Sequence, residues 1–327
     1  MDRFFCKYIL LLLALYACDS SPRLVEQGEA VIVYSNILTS SDQHLFTAYE
    51  KSSGVKVNIV HENGARIISR LSQADSMPAD LLILNGLQYL QEAKQAGLLD
   101  TLSASSLFSA IPAHLKDNSR QWLGLAYSAH AIAYLKDSVD TLQIQQYEAL
   151  TDIKWQSKLS LGLKREKLHT HLATMIAIQN TQNAEDWLVS LKQNLADSSR
   201  QGLPKFTALN DSSAWLALVN TAEYAASSSR KTALLFPSGG AYLHLSAAGI
   251  TEGAPHASRA RTLLSYLFSR DVMRNFAEAH YLYPARTDVP SPQSLNRLGI
   301  LKADSSAQSR IATYLTEAER LLELNGW

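Results

Sequence analysis

From residue 31 onwards, short apolar runs rich in β-branched residues alternate with segments of helical periodicity, and this alternation constrains the fold more than any other feature. The clearest unit begins with the run at 31–34, continues with a helical pattern that places Leu45, Phe46 and Tyr49 on one face, and ends at Gly54. Such runs need burial on both faces, which a parallel sheet covered by helices provides. The sequence therefore predicts an α/β protein.

The loops that follow the first three predicted strands are polar and span residues 36–41, 61–64 and 85–87. Parallel strands direct their carboxyl ends to one edge of a sheet, so we expect these loops to form one ligand-binding crevice. The candidate N-caps for the helix after the first strand are Ser40, Ser41 and Asp42.

A second α/β pattern and the length of 327 residues predict two lobes, each with its own core. Two short strands are predicted at 122–127 and 131–135, with a polar break at Ser128, and we interpret them as a crossover between the lobes. The expected fold is thus two doubly wound lobes joined by crossing hinge strands. Lobe one is predicted to comprise 31–126 plus 241–286, and lobe two 127–240 plus 287–327.

The N-terminus has the pattern of an export signal. Arg3 and Lys7 precede an apolar run at 8–15 that is too short to span a membrane. The signal would end at Cys18 in the sequence LYAC, which resembles the bacterial lipobox, and residues 19–30 would form a flexible tether. Cys6 would leave with the signal, so Cys18 would be the one thiol of the mature chain, and its use as a lipidation site fits that count. We therefore predict a periplasmic or cell-surface protein anchored in the membrane by lipid alone.

Charge and motifs exclude several functions. Thirty basic residues balance thirty acidic ones, which gives no net field for binding nucleic acid. The sequence contains no Gly-x-Ser-x-Gly elbow, no His-Glu-x-x-His pair, no phosphate-binding Gly-Lys-Ser/Thr loop and no paired-cysteine metal site. Binding rather than catalysis is therefore expected, with no cofactor.

Several stretches stand in order along residues 30–327: VIVYSN at 31–36, AYEK at 48–51, GVKV at 54–57, PADL at 78–81, EAKQAGLL at 92–99, YEAL at 147–150, KW at 154–155, SAAGI at 246–250 and YP at 283–284. Together they resemble one family, the ferric-iron type of periplasmic substrate-binding protein that supplies ABC importers. The resemblance implies a type II periplasmic-binding-protein fold, a monomer whose two lobes close over a ligand, and docking of the loaded protein on an ABC transporter permease. It also places Fe(III) among the candidate transported ligands.

The ligand set implied by the family is largely missing from this chain. Ferric-binding members usually hold iron with two adjacent tyrosines, often with a histidine after strand one and sometimes a carboxylate after strand three. The tyrosine pair would fall on Ala222 and Glu223, or on Glu223 and Tyr224. The histidine position is Leu38 and the carboxylate position is Asn85.

Two interpretations of the cleft therefore remain open. Tyr224 and Glu223, with Glu62 or His61, could bind a metal or a metal chelate in an altered geometry. Alternatively, the cleft binds a small anion or polar organic solute, which hydroxyl groups at a helix N-terminus would suit. The predicted binding residues are Thr39, Ser40, Ser41, Glu62, Asn85, Tyr127, Glu223 and Tyr224, with Tyr224 and Glu223 as the candidate metal ligands and Tyr127 as an aromatic wall.

Other polar groups near the predicted cleft allow a structural and a functional interpretation. On a strand His169 and His171 would share a face and could bind a metal, but we expect a helix or loop, and on a helix they would point apart. His130 could face the cleft or be a structural histidine, and core packing is expected for Tyr242 and His244. The charged run at 164–167 is either solvated surface or an anion contact from lobe two. The leading hypothesis is an extracytoplasmic solute-binding lipoprotein that delivers its ligand by cleft closure. The alternatives are an exported hydrolase with an interdomain cleft and a ligand sensor for a membrane receptor.

Overall fold

The computed structural model describes residues 30–73, 78–103, 105–196, 207–227, 230–305, 307 and 310–327. The strands are β1 Val31–Ser35, β2 Val57–His61, β3 Leu81–Asn85, β4 Leu123–Leu135, β5 Leu159–Leu161, β6 Leu216–Asn220, β7 Thr232–Leu235, β8 Leu243–Ile250 and β9 Tyr283–Pro284. The helices are α1 Thr47–Ser53, α2 Gly64–Leu71, α3 Leu87–Gln95, α4 Ser105–Ala110, α5 Arg165–Ile178, α6 Thr181–Asn194, α7 Thr207–Asn210, α8 Thr221–Ala226, α9 Ala257–Leu267, α10 Arg270–Ala279, α11 Gln293–Asn296 and α12 Ile311–Leu324.

The strands form one continuous mixed sheet in the order β2-β1-β3-β8-β4-β6-β5, and β7 and β9 also pair with β4. β1 runs parallel to β2 and to β3, and β5 runs parallel to β6. β8 is antiparallel to both β3 and β4. The predicted α/β architecture is therefore confirmed, and two antiparallel strands lie at the centre of the sheet.

The predicted break at Ser128 is wrong, because β4 is one strand of 13 residues. Its first part pairs with β8 and β9, and its second part pairs with β6 and β7. Ser128 is buried, and its hydroxyl oxygen accepts a hydrogen bond of 2.7 Å from Asn220 Nδ2. This contact satisfies the hydroxyl inside the sheet, so the strand continues through the polar position.

The first αβ unit also differs from its prediction at the cap. Residues Ser40–Phe46 form a 3-10 helix before α1, and Thr39 rather than Ser40, Ser41 or Asp42 precedes it. The Asp42 carboxylate accepts from the Thr39 N–H at 2.7 Å and from the Thr39 hydroxyl at 3.0 Å. Asp42 therefore acts from the first turn back onto Thr39, as in a capping box. The predicted stop at Gly54 is confirmed, with a left-handed φ of 73°.

The predicted signal at 1–18, its lipidated Cys18 and the tether up to residue 29 lie outside the described residues. Within the described ranges, no helix has the length and apolar character that a bilayer span requires.

Candidate functional site

The three loops of the predicted crevice meet at the carboxyl ends of β1, β2 and β3. Asn36 and Asn85 bond reciprocally: Asn36 Nδ2 donates to the Asn85 carbonyl at 3.0 Å, and the Asn85 N–H donates to Asn36 Oδ1 at 2.7 Å. The Glu62 N–H donates to the Ser35 carbonyl at 3.1 Å, and His61 Nδ1 lies 2.7 Å from the Leu38 carbonyl. Hydrogen bonds therefore connect the three loops at the carboxyl ends of these strands, where the strand order predicted that they would meet.

A row of buried and half-buried polar side chains extends from this edge across the centre of the sheet, and we call it the polar seam. Its members, in spatial order, are Asn36, Asn85, Ser246, His244, Ser128 and Asn220. Ser246 Oγ donates to Asn85 Oδ1 at 2.9 Å, and Ser128 pairs in register with His244. The seam therefore runs from the ends of β1 and β3, through β8 and β4, to Asn220 at the end of β6.

Gly86 and Gln88 connect the seam to the second half of the chain. Gly86 follows β3 with φ of 124°, and a Cβ there would lie 2.7 Å from the Gln88 side chain, so this corner requires glycine. The corner starts α3 and buries Gln88, whose Nε2 donates to the Glu166 carbonyl of α5 at 3.3 Å. Gln88 Oε1 is buried and accepts no hydrogen bond from the described residues, so it is available to accept one from a ligand.

An ion pair lies beside the position predicted for the metal. Lys167 of α5 donates from Nζ to Glu223 Oε1 of α8 at 2.6 Å. The Lys167 side chain is 11% exposed and that of Glu223 is 25% exposed. The pair as a whole carries no net charge, but an ammonium group has three N–H donors, and those not given to Glu223 can contact an anion.

Tyr224 does not join Glu223 in one site. Its hydroxyl lies 3.0 Å from Thr232 Oγ1 on β7, and burial raises the pKa of the phenol, which disfavours the phenolate needed for iron. Adjacent residues on the short helix α8 therefore contact different elements. Within the described parts of the chain, no three His, Cys, Asp or Glu residues are grouped so as to hold a metal ion.

The other predicted residues have local partners. Thr39 Oγ1 lies 2.6 Å from Ser41 Oγ, and Ser40 and Ser41 are exposed at the start of the 3-10 helix. Glu62 accepts from Arg70 at 3.1 Å. Tyr127 stacks on Tyr283, with ring centroids 5.5 Å apart, on the face of β4 opposite to Ser128. Asn85 is thus the one predicted residue that belongs to the polar seam.

Three buried imidazoles lie close together, and one of them, His244, belongs to the polar seam. His130 Nδ1 and His171 Nδ1 lie 3.0 Å apart, and the His130 and His244 ring centroids are separated by 6.2 Å. Burial lowers the pKa of all three, to about 3 for His171 and for His244. As predicted for a helix, His169 points away from His171, and its Nε2 lies 2.7 Å from the Leu315 carbonyl. We call His130, His171 and His244 the histidine cluster.

A cavity of about 710 Å³ opens between α2–α3 on one side and α5 with α12 on the other. Its titratable lining is mainly acidic: Glu92, Glu166, Glu319, Glu323, Arg165, Arg320, His169 and Tyr89. Burial and then Glu319 raise the pKa of Glu92, and Arg165 Nη1 donates to Glu319 at 2.6 Å. Sequence reasoning missed this cavity, except for the charged run at 164–167, because its walls come from distant segments.

Comparisons with known proteins agree on one group. A family profile described as bacterial extracellular solute-binding protein matches residues 76–304. Iron uptake protein A2 of Synechocystis sp. is 27% identical and covers 97% of this chain and 95% of its own length. A Trichodesmium protein (IdiA, FutA), solved with iron and citrate, is 26% identical with a TM-score of 0.82, covering 91% of this chain and 100% of its own. The ferric binding protein from Campylobacter jejuni is 25% identical with a TM-score of 0.82, covering 90% of this chain and 99% of its own.

Proposed function

The chain belongs to the family of bacterial extracellular solute-binding proteins, and on that premise we propose that it captures a small solute between two hinged lobes and passes it, unchanged, to the permease of an ABC importer. The observation that carries this proposal is the polar seam, which crosses β4 at the point where that strand changes its pairing partners. A ligand held across that point shifts the balance between open and closed forms by its differential affinity for them.

We further propose that the protein is a monomer in which two bodies move relative to each other. One body comprises residues 31–126 plus 241–286, and the other comprises residues 127–240 plus 287–327. The pairing of β4 supports this division, since its register with β8 ends at Ala129 and its register with β6 begins at His130. The hydrogen bond from Gln88 to Glu166 would then join the lobes on closure.

The proposed solute is a small anion rich in oxygen, with ferric iron carried as its chelate rather than bound bare. Lys167 supplies a cation beside the seam, whereas the phenol of Tyr224 is engaged with Thr232. A chelator such as citrate supplies its own carboxylates to iron and leaves a negative surface for the ammonium to contact. The related Trichodesmium protein, solved with both iron and citrate, supports this choice.

A thermal-shift screen of the purified protein tests the proposal. Ferric citrate at about a hundred times its dissociation constant should add about 2.7 kcal/mol of unfolding free energy, and ferric ion without chelator should add less. Lys167→Met should abolish the shift, whereas Lys154→Met, which removes an exposed lysine paired with Asp152, should keep it. Solute recovered from the complex should have an unchanged mass. Turnover of the solute, or an equal shift in Lys167→Met, contradicts the proposal.

We also propose that a lipid on Cys18 holds the exported chain at the membrane. A diacylglycerol on this cysteine would bury two acyl chains, and two chains hold a protein at a membrane stably, whereas one chain gives only marginal, reversible binding. Cys18→Ser should therefore move the protein from the membrane fraction to the soluble fraction, and Cys6→Ser should leave it in the membrane. Equal partition of both variants would count against lipidation.

A further inference from the structure

A second cavity, of about 490 Å³, is lined by Tyr224 of α8 and by Ser227 at the end of that helix, and its described lining contains neither Lys167 nor Glu223. Its walls come from the end of β4, the end of α8, the edge strand β7 and the turn after α11. We call it the β7 cavity. It shares no lining residue with the cavity between α3 and α12, so the two are separate spaces.

Three cations line the β7 cavity: Lys136, Arg230 and Arg297. No acidic residue is part of its described lining, and none of the three forms an ion pair with a carboxylate in the described ranges of the chain. Like charges that face one space without a counter-charge repel one another, and an anion placed between them removes that repulsion.

Backbone contacts orient two of the cations. Arg297 Nη2 donates to the Ala225 carbonyl at 3.2 Å, which fixes the guanidinium at the end of α8. Lys136 Nζ donates to the Arg230 carbonyl at 3.1 Å and so holds the two basic segments together. The remaining guanidinium N–H groups of Arg297 form a planar fork, the donor geometry that matches an oxyanion.

Hydroxyl groups complete the lining. Tyr224 and Thr232 form a hydroxyl pair with their oxygens 3.0 Å apart, and Ser227 lies at the end of α8. Hydroxyls and arginines without carboxylates are a donor-rich set, and this set excludes a metal cation as the occupant.

We propose that the β7 cavity is a second binding site, for a small oxyanion that carries two or more negative charges. The volume of about 490 Å³ is ample for inorganic phosphate, sulfate or a tricarboxylate. This site goes beyond the proposed transport function, because it lies outside the space between the lobes and needs no closure to form.

The test is calorimetric titration of the full-length protein with inorganic phosphate and with sulfate. We expect saturable binding that weakens as sodium chloride rises, because exposed charges are screened. Arg230→Gln and Arg297→Gln should each weaken binding about tenfold. Arg274→Gln, which changes an exposed arginine paired with Asp271 on α10, should bind as wild type does.

Two further arms separate this site from the cleft. Lys167→Met should keep phosphate binding intact even if it loses the cleft ligand, so failure of one proposal does not imply failure of the other. Loss of phosphate binding in Lys167→Met, together with wild-type binding in both arginine variants, would place the anion in the cleft and overturn the β7 site. Absence of any saturable binding at low salt would also overturn it. Circular dichroism should give the same spectrum for every variant.

Discussion

Lowering the pH from 7.5 to 5 should remove roughly 4 kcal/mol of unfolding free energy through His171 and His244 of the histidine cluster. An unfolded histidine titrates near pH 6.5, whereas burial lowers the pKa of His171 and of His244 to about 3 in the folded protein. Below pH 6.5 these histidines bind protons in the unfolded chain but stay neutral in the folded chain, so the free energy of unfolding falls as the pH falls. At pH 5 this costs roughly 2 kcal/mol for each of the two residues.

The surroundings of the histidine cluster explain why its imidazoles stay neutral. Lys167 is the cation close enough to oppose protonation of His130 and His244. The rings of Tyr147, Tyr242 and Trp187 enclose His171, with Trp187 stacked at 5.1 Å between centroids. Burial raises the pKa of Tyr147 and Tyr242, so both phenols stay neutral and give no counter-charge.

His171→Phe separates this effect from general acid denaturation. The variant keeps an aromatic ring beside Trp187 and removes one titrating group, so its loss of stability between pH 7.5 and pH 5 should be about 2 kcal/mol smaller than in wild type. Urea unfolding of wild type and variant at several pH values measures the difference. If His171→Phe showed the same pH dependence as wild type, the pKa of His171 would not be lowered in the folded protein.

The first strands and helices could be predicted from their hydrophobic periodicity and from the residues that end them, because both signals lie within the segment itself. The run at 31–34 became β1, and Gly54 ended α1 in the left-handed conformation that glycine adopts without strain. The meeting of Asn36 with Asn85 followed from parallel strand order, since such strands share one edge.

What sequence reasoning missed depends on partners that are distant in the chain. Ser128 looked like a break, but Asn220, 92 residues away, satisfies its hydroxyl inside the sheet. Glu223 and Tyr224 are adjacent, yet Lys167 engages one and Thr232 the other. No local pattern contains these pairings, so they could not be predicted from the sequence.

The site itself shows the same division. Asn85 could be predicted because it lies at the carboxyl end of a strand, whereas Ser246 and His244 lie inside β8 and resemble ordinary strand residues in the sequence. They become part of the polar seam because β8 is inserted antiparallel between β3 and β4. That insertion depends on long-range pairing rather than on local propensity.

Asp80→Ala should cost about 3–5 kcal/mol of unfolding free energy, the largest loss we expect from a single substitution. Asp80 is fully buried at the start of β3. Its Oδ2 accepts from the Ile32 N–H at 2.8 Å and lies 3.0 Å from His256 Nδ1, while its Oδ1 accepts from the His256 N–H at 2.7 Å. Removing the carboxylate leaves these part-buried donors without their acceptor, and a donor left unsatisfied away from water costs about 1–3 kcal/mol.

Asp80 also fixes the polar edge, because the contact with Ile32 holds β1 beside β3 and the contact with His256 positions the start of α9. Asp80→Asn keeps one oxygen acceptor and should therefore lose less stability than Asp80→Ala. Asp100→Ala is the matched control: it removes a carboxylate paired at 2.8 Å with the half-exposed Arg261, and such surface pairs contribute about 0–1 kcal/mol. Urea unfolding at pH 7 gives the three free energies. Equal losses in Asp80→Ala and Asp100→Ala would mean that the buried carboxylate does not anchor the first strands, and the crevice geometry would then need another support.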